Sequence, residues 1–178
     1  AMSRQTARSA ASITDFHERF TARLRALAAA HDVLVKAAYR GADLCELLRS
    51  QLGVGDEVIG ARIVMSGPEV QLRPEAAQNF AMALHELSAN ALKYGALSAP
   101  TGRVDVRWRI EGEGTGAKLA LDWTELGGPK PTPSGKAGFG TTLITHNLPR
   151  SLQGSVTLEH RPEGTRCHIE APISAIRA

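Results

Sequence analysis

The segment between Pro74 and Gly95 constrains the fold of this chain most strongly. Proline is tolerated in the first turn of a helix and glycine commonly follows the last turn, so these residues delimit a helix over about residues 75–94. At about 100° per residue, one side of this helix carries the apolar residues Phe80, Leu84, Leu87 and Ala91. The chain therefore folds around a long helix that buries one side in a core.

A polar stripe runs beside that apolar side. Glu86, Asn90 and Lys93 are spaced i, i+4 and i+7, which aligns them along the helix. The stripe is either a solvated face or a binding site. Mg²⁺ prefers oxygen ligands and keeps several waters, so the amide oxygen of Asn90 suits it together with phosphate oxygens. Glu86 can hold a metal-bound water or accept a proton, and Lys93 can neutralise a phosphate. His85 is expected on the other side of the stripe, at the edge of the site.

A second motif, LDWTELGGP, begins at Leu121. The predicted strand Lys118–Trp123 gives way there to a Gly127-Gly128 turn, and glycines let a backbone approach a flat ligand closely. The Glu125 carboxylate can accept a hydrogen bond from an exocyclic amine. Asp122 is the alternative candidate for this role. It lies three residues before Glu125, so the two side chains point to opposite faces of the strand. The alternative is an ordinary turn with a solvated glutamate.

A third motif, GFGTT at residues 138–142, precedes a helix predicted from Thr141 to about Leu152. Free backbone N–H groups at a helix N-terminus attract phosphate, and threonine hydroxyls add donors. The motif is not a P-loop, since no GK[ST] follows at the required spacing, and it does not match the dinucleotide fingerprint.

The order of the three motifs resembles the GHKL ATPase superfamily, and more closely the HWE histidine kinases. The resemblance rests on HELSANALKYGALS with His85, on Trp123-Thr124-Glu125 within WTELGGP, and on GFGTTLI at residues 138–144. It covers about residues 13–171 and implies a Bergerat ATP-binding fold.

The resemblance also implies roles for individual residues. Asn90 would ligate Mg²⁺, Glu86 would assist the transfer with His85 as a second candidate, and Glu125 would meet the adenine amine. The glycines and Thr141 of the third motif would frame the phosphates. The full set of expected ATP contacts is Asn90, Lys93, Tyr94, Trp123, Glu125, Gly127, Gly128, Gly138, Phe139, Gly140, Thr141 and Thr142.

The rest of the pattern predicts an α/β (α+β) sandwich, a mixed sheet of about five strands with helices on one face. Strand patterns at Ala61–Ser66 and Glu69–Arg73 flank a Gly67-Pro68 turn. Later strands are expected as hairpins: Arg103–Ile110 with Lys118–Trp123, and Ser155–His160 with Thr165–Ala171. Leu126–Gly140 reads as a loop, and a short helix is expected at about Ala42–Leu52.

Residues 16–39 predict one long helix whose start Asp15 or Thr14 can cap and which Gly41 can end. Its heptad-like seam consists of Phe16, Phe20, Leu24, Leu27, His31, Leu34 and Ala38. An apolar seam on one helix must be buried against another surface. We therefore expect the helix to self-associate or to fold back onto the domain. This divides the chain into residues 1–40, the second helix of a dimerisation hairpin, and residues 41–178, the catalytic ATP-binding domain.

Family members carry the phosphoacceptor histidine on a helix before this one, and the sequence shows no such box. His17 and His31 lie on the following helix instead, and His31 is interpreted as a packed interface histidine. We therefore expect the acceptor and an upstream sensor domain to lie outside this sequence, and the fragment alone not to autophosphorylate.

Composition narrows the class of protein, its expected partners and its expected location. Hydrophobic residues make up 43% and charged residues 22%, as in soluble globular proteins. The net charge is +3, but the basic residues are scattered, so no nucleic-acid partner is expected. Cys45 and Cys167 form no CxxC pair and no apolar run is long enough for a bilayer, which indicates a reduced, cytoplasmic protein whose membrane anchor, if any, lies upstream.

The function expected from the sequence is the ATP-binding catalytic domain of a two-component sensor histidine kinase. It would pass the γ-phosphoryl group of Mg·ATP to a histidine, for relay to the receiver domain of a response regulator, with a homodimer formed through the N-terminal helix. The alternatives are an anti-sigma-type serine kinase of the same superfamily and a nucleotide-dependent interaction module without transfer activity.

Overall fold

The structure is a computed structural model of the 178-residue chain. It describes residues 3, 6–7, 10, 12–37, 41–52, 58–130 and 138–178. The main helices are α1 (Ile13–Lys36), α2 (Leu44–Gln51), α3 (Pro74–Lys93), α4 (Phe139–Thr142), α5 (Leu148–Leu152) and α6 (Ile173–Ile176), and a short helical segment, Val58–Ala61, precedes the second strand. The strands are β1 (Ala42–Asp43), β2 (Ile63–Ser66), β3 (Gln71–Leu72), β4 (Arg103–Glu111), β5 (Lys118–Leu126), β6 (Ser155–Arg161) and β7 (Gly164–Pro172).

The main sheet has five strands in the order β2-β4-β5-β7-β6. β2 runs parallel to β4, whereas the other neighbours pair antiparallel, so the sheet is mixed as predicted. Both predicted hairpins form. β5 extends to Leu126, three residues beyond the predicted end of the strand, so Glu125 lies within the strand and pairs in register with Val104.

The strands on either side of Gly67-Pro68 do not pair with each other. β2 joins the edge of the main sheet, whereas β3 pairs antiparallel with β1 in a separate two-stranded sheet. The indole of Trp108 packs against Gly67 and donates a hydrogen bond to the Pro68 carbonyl at 2.7 Å. This contact holds the connecting segment against the main sheet.

Helix α3 begins at Pro74 and ends at Lys93, close to the predicted bounds. The four apolar residues predicted for its inner side are all buried. Alternate residues of β4 and β5, including Val106, Leu121 and Trp123, join them in one apolar core. The helices therefore cover one face of the sheet, and charged residues occupy the other.

Helix α1 packs on α3 and α2, which matches the expectation that it folds back onto the domain. Its N-cap is Ser12, whose side chain accepts a hydrogen bond from the backbone N–H of Asp15, so the predicted caps Thr14 and Asp15 are wrong. The helix ends at Lys36, and residues 38–40, before the predicted stop at Gly41, lie outside the described residues.

The buried side of α1 differs from the predicted seam. Leu24 is 46% exposed and His31 is also exposed, and the interpretation of His31 as a packed interface residue stays a prediction. Leu27 and Leu34 do contact the core. The residues that are fully buried on α1 are Arg23, Ala26, Ala30, Val33 and Leu34. Ala38 lies outside the described residues. The division of the chain at residue 40 stays a prediction, although α1 shares the core of residues 41–178.

The last helical region starts earlier than predicted. α4 begins at Phe139, so Phe139 and Gly140 are helical, and a π-helical turn at Leu143–Asn147 links α4 to α5. Such π-turns are frequent at functional sites. Of the predicted loop Leu126–Gly140, residues 131–137 lie outside the described part of the chain. No helix within the described ranges is long and apolar enough to cross a bilayer.

Candidate functional site

A cavity of about 60 Å³ lies between α1 and α3. The predicted stripe of α3 lines it, and α1 closes the other side. Its lining residues are Arg19, Ala22, Arg23, His85, Glu86, Ala89, Asn90, Lys93 and Tyr94. The structure therefore brings the acid, the amide and the cation of the stripe together, along about 10 Å of helix.

Glu86 is buried and both of its carboxylate oxygens are engaged by Arg23 of α1. Arg23 Nε donates to Oε1 at 2.7 Å, and Nη2 donates to Oε2 at 3.2 Å. The remaining guanidinium nitrogen, Nη1, donates to Thr6 Oγ1 at 2.9 Å. Arg23 is itself only 4% exposed, so this is a buried, bidentate ion pair.

His85 lines the same cavity as Glu86. The side chain is half-buried. Burial lowers the pKa of His85, and the nearby cations Arg23 and Lys93 lower it further against the opposing effect of Glu86. Its imidazole is therefore neutral at physiological pH, and a neutral ring can accept a proton or a hydrogen bond.

Asn90, Lys93 and Tyr94 lie at the solvent side of the cavity. All three are exposed, and Asn90 makes no side-chain hydrogen bond to any residue that the structure describes. Its amide oxygen is thus available to a ligand, whereas the oxygens of Glu86 are engaged. Within the described ranges, no group of three or more His, Cys, Asp or Glu residues is arranged to hold a metal ion.

The third motif packs directly against Glu86. A methyl group at Gly140 would lie 2.5 Å from Glu86 Oε2, so only glycine fits this approach. Phe139 lies beneath Arg23, with the guanidinium carbon 3.9 Å from the ring centroid. Gly138 caps α4 and is exposed, while the Thr142 hydroxyl donates to the Gly138 carbonyl at 3.2 Å. The start of α4 therefore packs against Glu86 and Arg23, two of the residues that line the cavity.

Glu125 lies near the C-terminal end of α3. Its Oε2 accepts a hydrogen bond from the backbone N–H of Ala96 at 2.8 Å, and its Oε1 accepts one from the Trp123 indole at 3.3 Å. Glu125 is 3% exposed, and burial raises the pKa of its carboxyl group, although these two donors act in the opposite direction. Each oxygen keeps acceptor capacity for a second donor.

Two glycines allow the second motif to meet the end of α3. A methyl group at Gly95 would collide with the Glu125 carboxylate, and one at Gly128 would lie 2.6 Å from the Ala96 Cα atom. Gly127 adopts φ 72°, a conformation that favours glycine. The turn after β5 is therefore packed tightly on the segment that follows the asparagine of α3.

Asp122 lies on the opposite face of β5, as the alternation of strand residues predicts. It accepts hydrogen bonds from His168 Nδ1 and Arg109 Nη1, both at 2.6 Å. Burial acts to raise the pKa of Asp122, but these two partners outweigh it and the pKa is lowered. Asp122 therefore belongs to an ion-pair network on the outer face, away from Glu125.

Sequence reasoning missed Arg23, the cavity residue that holds Glu86. It lies 63 positions from Glu86 in the chain, on a helix interpreted only as a dimerisation element. The sequence holds no motif around it, and the predicted seam passes through its neighbour Leu24. Only a prediction of which side of α1 faces α3 would have found it.

Comparison with known proteins agrees with this architecture. Residues 1–69 match the model of the HWE histidine kinase family. The blue-light-activated histidine kinase of Brucella anthropi is 32% identical over 171 residues, which is 96% of this chain and 35% of that protein. Its counterpart in Brucella ovis is 32% identical over 155 residues, 87% of this chain and 32% of that protein. The chain thus spans about a third of the length of these curated relatives.

Solved structures show the same fold. The histidine kinase domain of the Erythrobacter litoralis EL346 blue-light activated histidine kinase superposes with a TM-score of 0.64 at 18% identity, covering 86% of this chain and 74% of that one. The catalytic domain of the histidine kinase ThkA gives 0.52 at 18% identity, covering 73% of this chain and 93% of that domain. The chain is thus similar to the HWE histidine kinases over residues 1–69 and to curated blue-light-activated histidine kinases over most of its length, and it shares the fold of histidine kinase catalytic domains.

Proposed function

We propose that this chain binds Mg·ATP and transfers its γ-phosphoryl group to a histidine, from which it passes to an aspartate of a response regulator. One observation carries the proposal: the asparagine of α3 and the buried acid one turn before it line one cavity, and the start of α4 packs against that acid. Phosphoryl transfer depends on positioning and charge neutralisation more than on covalent groups of the enzyme, which suits such a site.

The cavity suits the phosphate end of a nucleotide. Its volume of about 60 Å³ is far below the roughly 300–1,000 Å³ of whole small-molecule sites. The base and ribose would then lie outside it, toward Tyr94 and Glu125. Lys93 would neutralise phosphate charge, and the backbone at Gly138–Thr142 would face the phosphates.

The available donors fit Mg²⁺. This ion commonly takes one or two protein oxygens, with waters and phosphate oxygens completing its shell. Asn90 offers an exposed amide oxygen, so it is the proposed ligand. Bound Mg²⁺ would neutralise charge on the phosphates. Glu86, which Arg23 holds in place, can orient the incoming acceptor, and the neutral imidazole of His85 can accept its proton.

Partners and location are also proposals. A response-regulator receiver domain and a cytoplasmic setting follow from the resemblance to histidine kinases. Pairing with a second copy through α1 is supported by apolar residues that α1 leaves exposed: Ile13, Leu24 and Val35. A histidine acceptor is favoured over a serine acceptor because the family match is to histidine kinases.

Transfer can be tested with radiolabelled ATP. The chain alone is expected to stay unlabelled, because we propose that none of its six histidines is the acceptor. Adding a polypeptide that carries the acceptor helix of the family should produce an acid-labile label on that polypeptide. Label on His17 or His31 of the chain alone would contradict the proposal, since both are exposed on α1 and could be reached.

Glu125 is the proposed reader of adenine. A glutamine at this position keeps the size of the side chain and can still accept from Ala96, but it loses the charge that attracts the adenine amine. Glu125→Gln is therefore expected to weaken ATP by about tenfold or more and to leave GTP within about twofold, measured by titration of both nucleotides. Asp122→Asn, on the outer face, is the control. An ATP-specific loss in Asp122→Asn with Glu125→Gln unaffected would contradict the assignment.

A further inference from the structure

Arg23 makes three sets of contacts that converge on the proposed nucleotide site. Its guanidinium binds both oxygens of Glu86, donates to Thr6 and lies 3.9 Å above the ring of Phe139. Burying an arginine is costly unless every donor finds a partner, and here the partners come from separate segments of the chain. The side chain therefore joins α1, α3 and the start of α4 at one point.

We propose that Arg23 is a positioning residue of the kinase site, which fixes the Glu86 carboxylate and the Phe139–Gly140 segment relative to each other. The inference rests on the proposed function. It makes α1 a structural part of the nucleotide site, in addition to any role in dimerisation. Arg23 would act through Glu86 and the phosphate-facing backbone of α4, without itself being required to touch ATP.

The planar fork of arginine is what this geometry uses. Two parallel N–H groups match the two carboxylate oxygens, and the flat face stacks on the phenyl ring. Because Gly140 touches the same carboxylate, a shift of Glu86 would displace the start of α4. Lysine carries the charge but neither the fork nor the flat face, so it cannot hold both neighbours at once.

The contacts of Arg23 are not explained by the packing of α1 against the rest of the domain. The helix has its own buried apolar residues, among them Ala30 and Leu34, which are fully inaccessible. Gln51 of α2 also donates to the Ala26 carbonyl at 3.2 Å. These contacts hold the C-terminal half of α1 in place, whereas Arg23 points at the site.

The test is Arg23→Lys in the chain, titrated with Mg·ATP after circular dichroism has shown that it is folded. The lysine keeps a cation beside Glu86, so folding is retained. Affinity for Mg·ATP is expected to fall about tenfold, because Glu86 and the start of α4 are then no longer held in the geometry that binds the nucleotide. Arg25→Lys, exposed two positions along α1, is the matched control and should bind like the parent. Val33→Ala tests docking alone: it should lower the melting temperature and leave affinity within about twofold.

A second readout does not depend on nucleotide. In Arg23→Lys without ATP, the amides of Thr142 and Leu143, which donate to carbonyls at the start of α4, should exchange hydrogen several-fold faster, and in Val33→Ala they should not. Folded Arg23→Lys with parental affinity and parental exchange would overturn the inference. Loss of affinity in Val33→Ala equal to that in Arg23→Lys would reduce Arg23 to a docking contact. Failure of the parent chain to bind Mg·ATP would instead refute the proposed function, while the exchange result would still decide whether Arg23 orders the α4 segment.

Discussion

Replacing Arg23 with methionine is expected to lower the free energy of unfolding by about 3–5 kcal/mol. The change removes the guanidinium but keeps an unbranched side chain of similar length. Glu86, whose side chain is about 10% exposed, would then lie buried without its cation, and desolvation of an unpaired carboxylate is the main cost. Chemical denaturation followed by circular dichroism measures the loss.

Two further variants separate this cost from the loss of packing. Arg25→Met, on the exposed side of the same helix, should change stability by no more than about 0.5 kcal/mol. Combining Arg23→Met with Glu86→Gln should recover part of the loss, because no charge is then left buried. A loss below about 1 kcal/mol in Arg23→Met would show that the pair is not the buried, bidentate interaction described here.

The local elements were predictable because their signals are local. Helix α3 is bounded by Pro74 and Gly95 and has a clear apolar period, so its ends were found within a residue. The hairpins of the main sheet are built around turn-rich segments, and they too form as predicted. Backbone geometry within one segment is encoded by neighbours in the chain.

The buried face of α1 was not predictable in the same way. The predicted seam followed large apolar residues such as Leu24, whereas the observed face includes Ala26 and Ala30. Small residues let two helices approach closely, so a helix packed on α3 buries them and leaves Leu24 half-exposed. The sequence shows both stripes, and only the tertiary contact selects one.

The contacts between motifs were beyond sequence reasoning for a different reason. Glu125 accepts a hydrogen bond from the backbone of Ala96, and a backbone donor leaves no trace in residue identity. Arg23 meets Glu86 across 63 positions, which no periodicity reveals. The motif residues could therefore be named from the sequence, but the groups that hold Glu86 and Glu125 could not.

Asn90→Ala is expected to weaken Mg·ATP by about a hundredfold or more. Asn90 is the proposed protein ligand of the metal, and even groups that only support a metal ligand are worth about 10–100-fold in affinity. Its side chain is exposed, so the change should leave the fold intact. Asn79→Ala is the matched control on the same helix, since Asn79 only donates to the Glu75 carbonyl at 2.8 Å.

The most direct test of the kinase proposal is calorimetric titration of the chain with ATP, with Mg²⁺ and with a chelator in its place. The parent and Asn79→Ala should bind ATP tightly only with Mg²⁺, and Asn90→Ala should bind weakly and to the same extent in both conditions. Parental, Mg²⁺-dependent affinity in Asn90→Ala, or no ATP binding by the parent, would contradict the proposed nucleotide site.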